Sequence, residues 1–239
     1  MMPPPSLEPL VVLTGAGISA ESGVPTFRGP QGLWRTHRPQ DLANPAAFAR
    51  DPDLIWEFYR WRRKLIGDCA PNAAHKSLVE IENAVSNFTL ITQNIDGLHQ
   101  AAGSRQVIEL HGSVWGMLCS NCQARWTDHR VELPPGLPRC ERCGGLARPD
   151  VVWFGETLDP MTLDRAGQAS RLASVMLIIG TSAIVQPAAQ LPLMAYHAGA
   201  HLVEINPETT PLSPYVHQSL HVPATVGISQ WWDSAKPSK

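Results

Sequence analysis

Short apolar runs, each closed by a glycine or a small polar residue, recur along the chain. Leu10-Val11-Val12-Leu13 stops just before Gly15. Phe88-Thr89-Leu90-Ile91-Thr92, Val107-Ile108-Glu109-Leu110, Val175-Met176-Leu177-Ile178-Ile179 and His201-Leu202-Val203-Glu204-Ile205 follow the same rule. Apolar residues at consecutive positions predict strands buried on both faces, which belong in a parallel sheet covered by helices. Helical stretches are expected between them, over 73–85, 162–172 and 187–198, the last despite Pro192.

Two segments break this rhythm. One is rich in Trp, Arg and Phe and reads as a helical insertion. The other contains four paired cysteines and little helical periodicity. The expected plan is a single α/β domain. A Rossmann-like parallel sheet comes from about residues 7–29, 76–114 and 150–230, with a helical insertion over about 30–75 and a cysteine module over about 115–149.

Composition changes this picture little. The chain has 239 residues, 44% hydrophobic and 17% charged, with a formal net charge of -2. That balance calls for neither nucleic acid nor an anionic membrane as partner. No apolar run approaches the roughly 20 residues that span a bilayer, and the Pro-rich start does not read as a secretion signal. A cytoplasmic location is the expectation that follows. The oligomeric state is left open, a monomer being compatible.

The first strand runs into Gly15-Ala16-Gly17-Ile18-Ser19-Ala20, which fits the G-x-G-x-x-G/A dinucleotide fingerprint. Its glycines let the backbone turn tightly toward a pyrophosphate, and free N–H groups are expected at the following helix start. Taken alone, the motif also fits a plain tight turn. A dehydrogenase would continue into a second strand ending in Asp or Glu. Here Gly23-Val24-Pro25-Thr26-Phe27-Arg28 follows instead, a loop.

Polar groups also gather at the other predicted strand ends. They are Gln93-Asn94-Ile95-Asp96, His111-Gly112-Ser113, Gly180-Thr181-Ser182 and Asn206-Pro207-Glu208. Each cluster alone reads as a cap or turn. Together they outline a crevice where open parallel sheets bind ligands. His111 is the candidate general base, because imidazole titrates near neutrality.

Cys119-x-x-Cys122 and Cys140-x-x-Cys143, with 17 residues between the pairs, have the spacing of a four-cysteine zinc site. Four thiolates fill a tetrahedral ion and leave no place for water, so the zinc is expected to be structural. The fifth cysteine, Cys69, reads as inert.

These motifs, in this order, resemble the sirtuin family over Leu10 to about Gly227. Glu109-Leu110-His111-Gly112, Val152-Trp153-Phe154-Gly155-Glu156 and Ile205-Asn206 add to those already named. The resemblance implies NAD as co-substrate and acyl-lysine proteins or peptides as partners. It implies attack of the acyl oxygen on the ribose carbon that carries nicotinamide. Nicotinamide leaves, His111 then acts as base on a ribose hydroxyl that attacks the bound amide carbon, and water finally yields free lysine and O-acyl-ADP-ribose. By the same resemblance, Gly15, Ala16, Gly17, Ser19, Ala20, Phe27, Arg28, Gln93, Asn94, Asp96, Gly180, Thr181, Ser182, Asn206, Glu208 and Ala224 hold the cofactor. Asn94 also shares in catalysis. Val152 to Glu156 corresponds to a strand that pairs with the substrate backbone.

Tyr59 and Arg62, three apart in Trp56-Glu57-Phe58-Tyr59-Arg60-Trp61-Arg62-Arg63, share one helical face. A hydroxyl and a guanidinium fork aimed together suit a carboxylate. The pair resembles the Tyr-x-x-Arg of class III sirtuins, which remove succinyl, malonyl and glutaryl groups, and Ala43 matches their small pocket residue. A basic surface helix is the competing reading. A sirtuin-like ADP-ribosyltransferase and a non-catalytic NAD- or ADP-ribose-sensing module are the competing functions.

Overall fold

The computed structural model describes residues 7–26 and 37–236. The strands and helices, in chain order, begin with β1 (Leu10–Thr14), α1 (Gly17–Ala20), α2 (Pro39–Leu42), α3 (Pro45–Arg50), α4 (Pro52–Gly67) and α5 (Ala73–Ala84). Then come β2 (Phe88–Thr92), α6 (Leu98–Ala102), β3 (Val107–Glu109), β4 (Gly112–Cys119), β5 (Arg125–Thr127) and β6 (Ala147–Val151). The chain closes with α7 (Pro160–Leu172), β7 (Val175–Ile179), α8 (Leu191–His197), β8 (His201–Ile205), β9 (Gln218–Leu220) and α9 (Ala224–Ala235).

Six strands form one sheet in the order β3-β2-β1-β7-β8-β9, and every neighbouring pair is parallel. The consecutive apolar runs explain this. Leu10 and Val12 face one core with Leu78, Ile81, Ile228 and Trp231 from α5 and α9. Val11 and Leu13 face the other with Ala166, Leu191 and Ala195 from α7 and α8. Both faces are thus covered, as the pattern predicts. The edge strand β9 and helix α9 carry no comparable signal in the sequence.

Helix starts are written locally. Asp51 accepts from Leu54 N at the start of α4, and Asp159 accepts from Thr162 N at the start of α7. Each is followed by a proline at the first helical position. Asn72 caps α5 in the same way.

The helical insertion and the cysteine segment share a third core. Phe48, Ile55, Trp56, Phe58 and Tyr59 pack with Met117, Ala147, Val151 and Trp153. The three-stranded sheet β5-β4-β6 is antiparallel. Two arginines of α4 fasten the segments together. Arg60 donates to the carbonyls of Leu133, Pro134 and Gly136, and fully buried Arg63 donates to those of Asp128 and Arg130. No helix among the described residues is long and apolar enough to cross a membrane.

Candidate active site

Strand order reverses direction between β1 and β7, and in open parallel sheets the ligand crevice opens at such a point. The turn after β1 and the turn after β7 meet there in backbone contact. A Cβ on Gly15 would lie 2.8 Å from the Gly180 carbonyl oxygen, and one on Gly17 would lie 2.7 Å from the Gly180 Cα. Gly180 itself has φ +59°. The glycines are therefore required by the meeting of two loops. The expected row of free N–H groups is corrected here. Gly15 N donates to Ile179 O at 3.0 Å, Gly17 N to Gly180 O at 2.8 Å, and Ile18 N and Ser19 N to Gly15 O and Ala16 O at 3.2 Å each. The helix α1 has four residues and so little dipole to offer.

A buried polar network lies beside this junction. Asp96 accepts from Ser19 Oγ at 2.8 Å and from Leu98 N at 2.9 Å. Asn94 Nδ2 donates to Ser19 Oγ at 3.2 Å. Ser19, Asn94 and Asp96 are all buried. Gln93 Nε2 bridges to Thr181 Oγ1 at 2.9 Å, joining the ends of β2 and β7. Hydroxyl, amide and carboxylate groups in such a set match the hydroxyls of a ribose and a carboxamide.

His111 has its Nδ1 2.8 Å from the Gln93 carbonyl. A carbonyl only accepts, so Nδ1 carries the hydrogen and Nε2 presents a lone pair. Burial holds the imidazole below its usual pKa, against the opposing effect of that bond. The His111 ring is thus neutral at pH 7.

The other expected cofactor residues are placed less tightly. Ala16, Gly17 and Ser182 are half-buried and Ala20 is exposed. Asn206 donates its side-chain amide to the exposed Glu208 backbone carbonyl at 2.7 Å. Ala224 is buried in the first turn of α9. Phe27 and Arg28 lie outside the described residues.

Tyr59 and Arg62 are not on a surface. Tyr59 is 2% exposed and Arg62 8%, which decides against the basic surface helix. Trp153 Nε1 donates to the Tyr59 hydroxyl at 2.8 Å. Burial pushes the Tyr59 pKa up to about 12, so the phenol keeps its proton. Burial pushes Arg62 down, while Tyr59 and the nearby Asp96 favour its charge. Ala43 is half-buried, and its carbonyl accepts from Phe154 N at 2.9 Å.

The stretch Val152 to Glu156 corrects an expectation, because β6 ends at Val151 and a turn follows. Gly155 there has φ +90°. Val152 N donates to His111 O, Phe154 N to Ala43 O and Glu156 N to Trp153 O. Trp153 N donates to the Glu156 carboxylate at 2.8 Å. Side-chain return by Glu156 curls this segment, and four of its five N–H groups are taken within the chain.

The four cysteine Sγ atoms lie within 4.8 Å of one another. Cys119 and Cys143 are 3.5 Å apart, and Cys122 and Cys140 3.7 Å. Zinc–sulfur bonds of about 2.3 Å in a tetrahedron place sulfurs about 3.8 Å apart, so the set fits zinc. Backbone N–H groups of Asn121 and Cys122 approach Cys119 Sγ at 3.4 Å, and that of Gly145 approaches Cys143 Sγ at 3.4 Å. A Cβ on Gly145 would sit 2.7 Å from the Asn121 Cβ and 3.2 Å from two of the sulfurs, so the knuckle closes only on glycine.

The sequence profile of the Sir2 family matches residues 15–187. The chain belongs to the Sir2 family. This sirtuin is 50% identical over 224 residues to an NAD-dependent protein deacylase of Aquifex aeolicus strain VF5, covering 94% of each chain. It superposes on a Sir2 homologue solved as a complex with NAD, with a TM-score of 0.89, 48% identity, and coverage of 94% of this chain and 88% of the other. A Sir2 homologue variant solved with 2′-O-acetyl ADP ribose gives a TM-score of 0.90 at 46% identity, covering 96% of this chain and 94% of the other.

Some site-supporting residues of this sirtuin escape sequence reasoning. His75 sits in the first turn of α5, its Nε2 3.4 Å from Ser19 Oγ. His99 Nε2 lies 3.0 Å from Thr14 Oγ1, and Thr14 donates to Thr92 at 2.8 Å. Burial pushes the His99 pKa down to about 3, so its ring is neutral. A fully buried threonine at the last position of β1 is the one signal that could have pointed there.

Proposed function

We propose that the preferred substrates of this NAD-dependent protein deacylase are lysines carrying acyl groups that end in a carboxylate, of the succinyl, malonyl and glutaryl class. The observation that carries this reading is the buried pair of α4. The Tyr59 hydroxyl already accepts from Trp153, so its own hydrogen is left to donate, and Arg62 lies on the same face one turn on. A buried cation and a buried hydroxyl donor favour an anionic acyl tail. Ala43, small and half-buried, leaves room for that tail.

NAD supplies a ribose carbon activated by its nicotinamide and the hydroxyl that finally takes the acyl group. In this reading Ser19, Asn94 and Asp96 orient the ribose and nicotinamide end, with Gln93, Thr181 and Ser182 beside them. Gly15, Ala16, Gly17, Ala20 and Gly180 line the turn over which the pyrophosphate passes. Asn206, Glu208 and Ala224 flank the adenosine. His111 Nε2 takes the proton of the ribose hydroxyl. In this reading the turn over Val152 to Gly155 lies along the peptide, with the Trp153 carbonyl already accepting from Glu156 N. The four cysteines hold structural zinc and take no part in the chemistry. The 2′-O-acetyl ADP ribose bound by a relative is the kind of product this route makes.

Nicotinamide release with matched acetyl-lysine and succinyl-lysine peptides, read alongside free lysine, tests the proposal. Turnover that needs both NAD and peptide, and is faster on succinyl, is expected. Faster turnover on acetyl removes the acidic-acyl preference and leaves the deacylase.

A further inference from the structure

Three side chains beside Tyr59 form one clasp. Glu156 takes Arg148 in a fork, with Nη1 and Nη2 donating to its two oxygens at 2.6 and 2.8 Å. Arg148 Nη2 also donates to Val151 O at 2.8 Å. The flat guanidinium so held lies over the Trp153 ring, its Cζ 3.5 Å from the centroid. The indole also meets Phe48, tilted at 51° and 5.3 Å between centroids. Glu156 grips the backbone of the same residue through Trp153 N. The indole is therefore fixed by its ring and its main chain at once, and Trp153 is 3% exposed.

What this fixed ring does follows from donor chemistry. An indole N–H can only donate, so in the 2.8 Å contact with Tyr59 the phenol oxygen must accept. A lone tyrosine hydroxyl can swing its hydrogen between two in-plane directions. With Trp153 occupying one side, the hydrogen is turned away from the indole.

We infer that Trp153, held by Arg148 and Glu156, is a positioning residue for acyl selectivity, because it aims the Tyr59 hydroxyl hydrogen toward the terminal carboxylate of an acidic acyl-lysine. This rests on the acidic-acyl reading above. It assigns Glu156 to the support of the pocket, where the sequence suggested substrate contact. A neutral acetyl group has no carboxylate to receive that hydrogen, so the clasp acts on discrimination more than on chemistry.

The test is a double-substitution cycle on the zinc-loaded, full-length enzyme, with kcat and KM measured on succinyl-lysine and acetyl-lysine peptides. Trp153→Phe keeps an aromatic ring under Arg148 and removes the donor. It is expected to lower the succinyl-to-acetyl ratio of kcat/KM by about tenfold, the worth of a charge-assisted hydrogen bond, mainly through the succinyl KM. In a Tyr59→Phe background the same substitution is expected to leave the ratio unmoved, since there is no hydroxyl left to aim. Independent losses that multiply would overturn the inference and mark Trp153 as packing alone. Should Trp153→Phe fold poorly, Glu156→Gln loosens the same clasp and enters the same cycle, with a smaller loss expected. A wild-type enzyme with no succinyl preference would remove the acidic-acyl reading and this inference together, whereas a clear preference with multiplying losses removes the inference alone.

Discussion

The hydrogen bond from His111 Nδ1 to the Gln93 carbonyl sets a tautomer as well as a ring orientation. It leaves Nε2 as the only basic nitrogen, and burial keeps it unprotonated below the usual imidazole range. His111→Ala is expected to reduce kcat at least about 10²-fold, the contribution of a positioned general base, with melting temperature and zinc content retained. Peptide-dependent nicotinamide release and a thermal melt of the same sample check this. The depressed pKa gives a second prediction. A base must be deprotonated to act, so the acidic limb of kcat/KM should bend below the ordinary imidazole value of about 6.5. A limb centred above that value would mean another group controls the rate. The placement of Asn94, Asp96 and His111 beyond strand ends was legible because each follows an apolar run. Their supports were not. Thr14, Thr92 and His99 lie within or just beyond predicted elements, and only tertiary contact gives them a purpose.

Between elements, the β1 and β7 turns meet so closely that neither leaves room for a side chain. Gly180 combines φ +59° with a Cβ position 2.6–2.8 Å from the backbone of Gly17 and Ile18. Gly180→Ala is therefore expected to lose about 1–3 kcal/mol from backbone conformation alone, and more from the clash. Gly136→Ala is the matched control, with φ +81° and nothing within 4 Å of its Cβ. Thermal melts should drop further for Gly180→Ala, and its KM for NAD should rise while that of Gly136→Ala holds. Equal melts would mean the two turns can part at no cost. Five of the six strands of this sheet were legible to within a residue, because burial in a covered sheet writes an unbroken apolar run. The turn at 152–156 was not. The resemblance implied a strand there, yet Glu156 bends back onto Trp153 N and Arg148, a pairing that no local pattern encodes. Strand β9 escaped because Gln218-Ser219-Leu220 is a short polar edge.

At the scale of the molecule, the described residues form three cores, and the division has a consequence for metal loss. The parallel sheet is packed by two of them, one on each face. The third unites α3, α4 and the cysteine-bearing sheet, and it contains both Tyr59 and Trp153. Periodicity alone separates the helical insertion from the cysteine module because the chain visits them apart, whereas the sirtuin resemblance implies one small zinc-binding and helical module. Arg60, Arg63 and the Trp56 indole, which donates to Ala147 O at 2.9 Å, make them one body. Four thiolates without their ion repel when charged and lose their tetrahedral centre, so structural zinc contributes directly to folding of this part. Stripping the metal should therefore loosen the acyl pocket before the cofactor crevice. Zinc-free protein, or Cys119→Ser, is expected to keep a parallel sheet that binds ADP-ribose, measured by calorimetry, while the KM for a succinyl-lysine peptide rises steeply. The link through Trp115 Nε1 to the Asp96 carbonyl, at 3.0 Å, sets the limit of this separation. If that one bond and the contacts around it transmit the disorder, ADP-ribose affinity will fall in step with peptide turnover, and the three cores behave as a single cooperative unit.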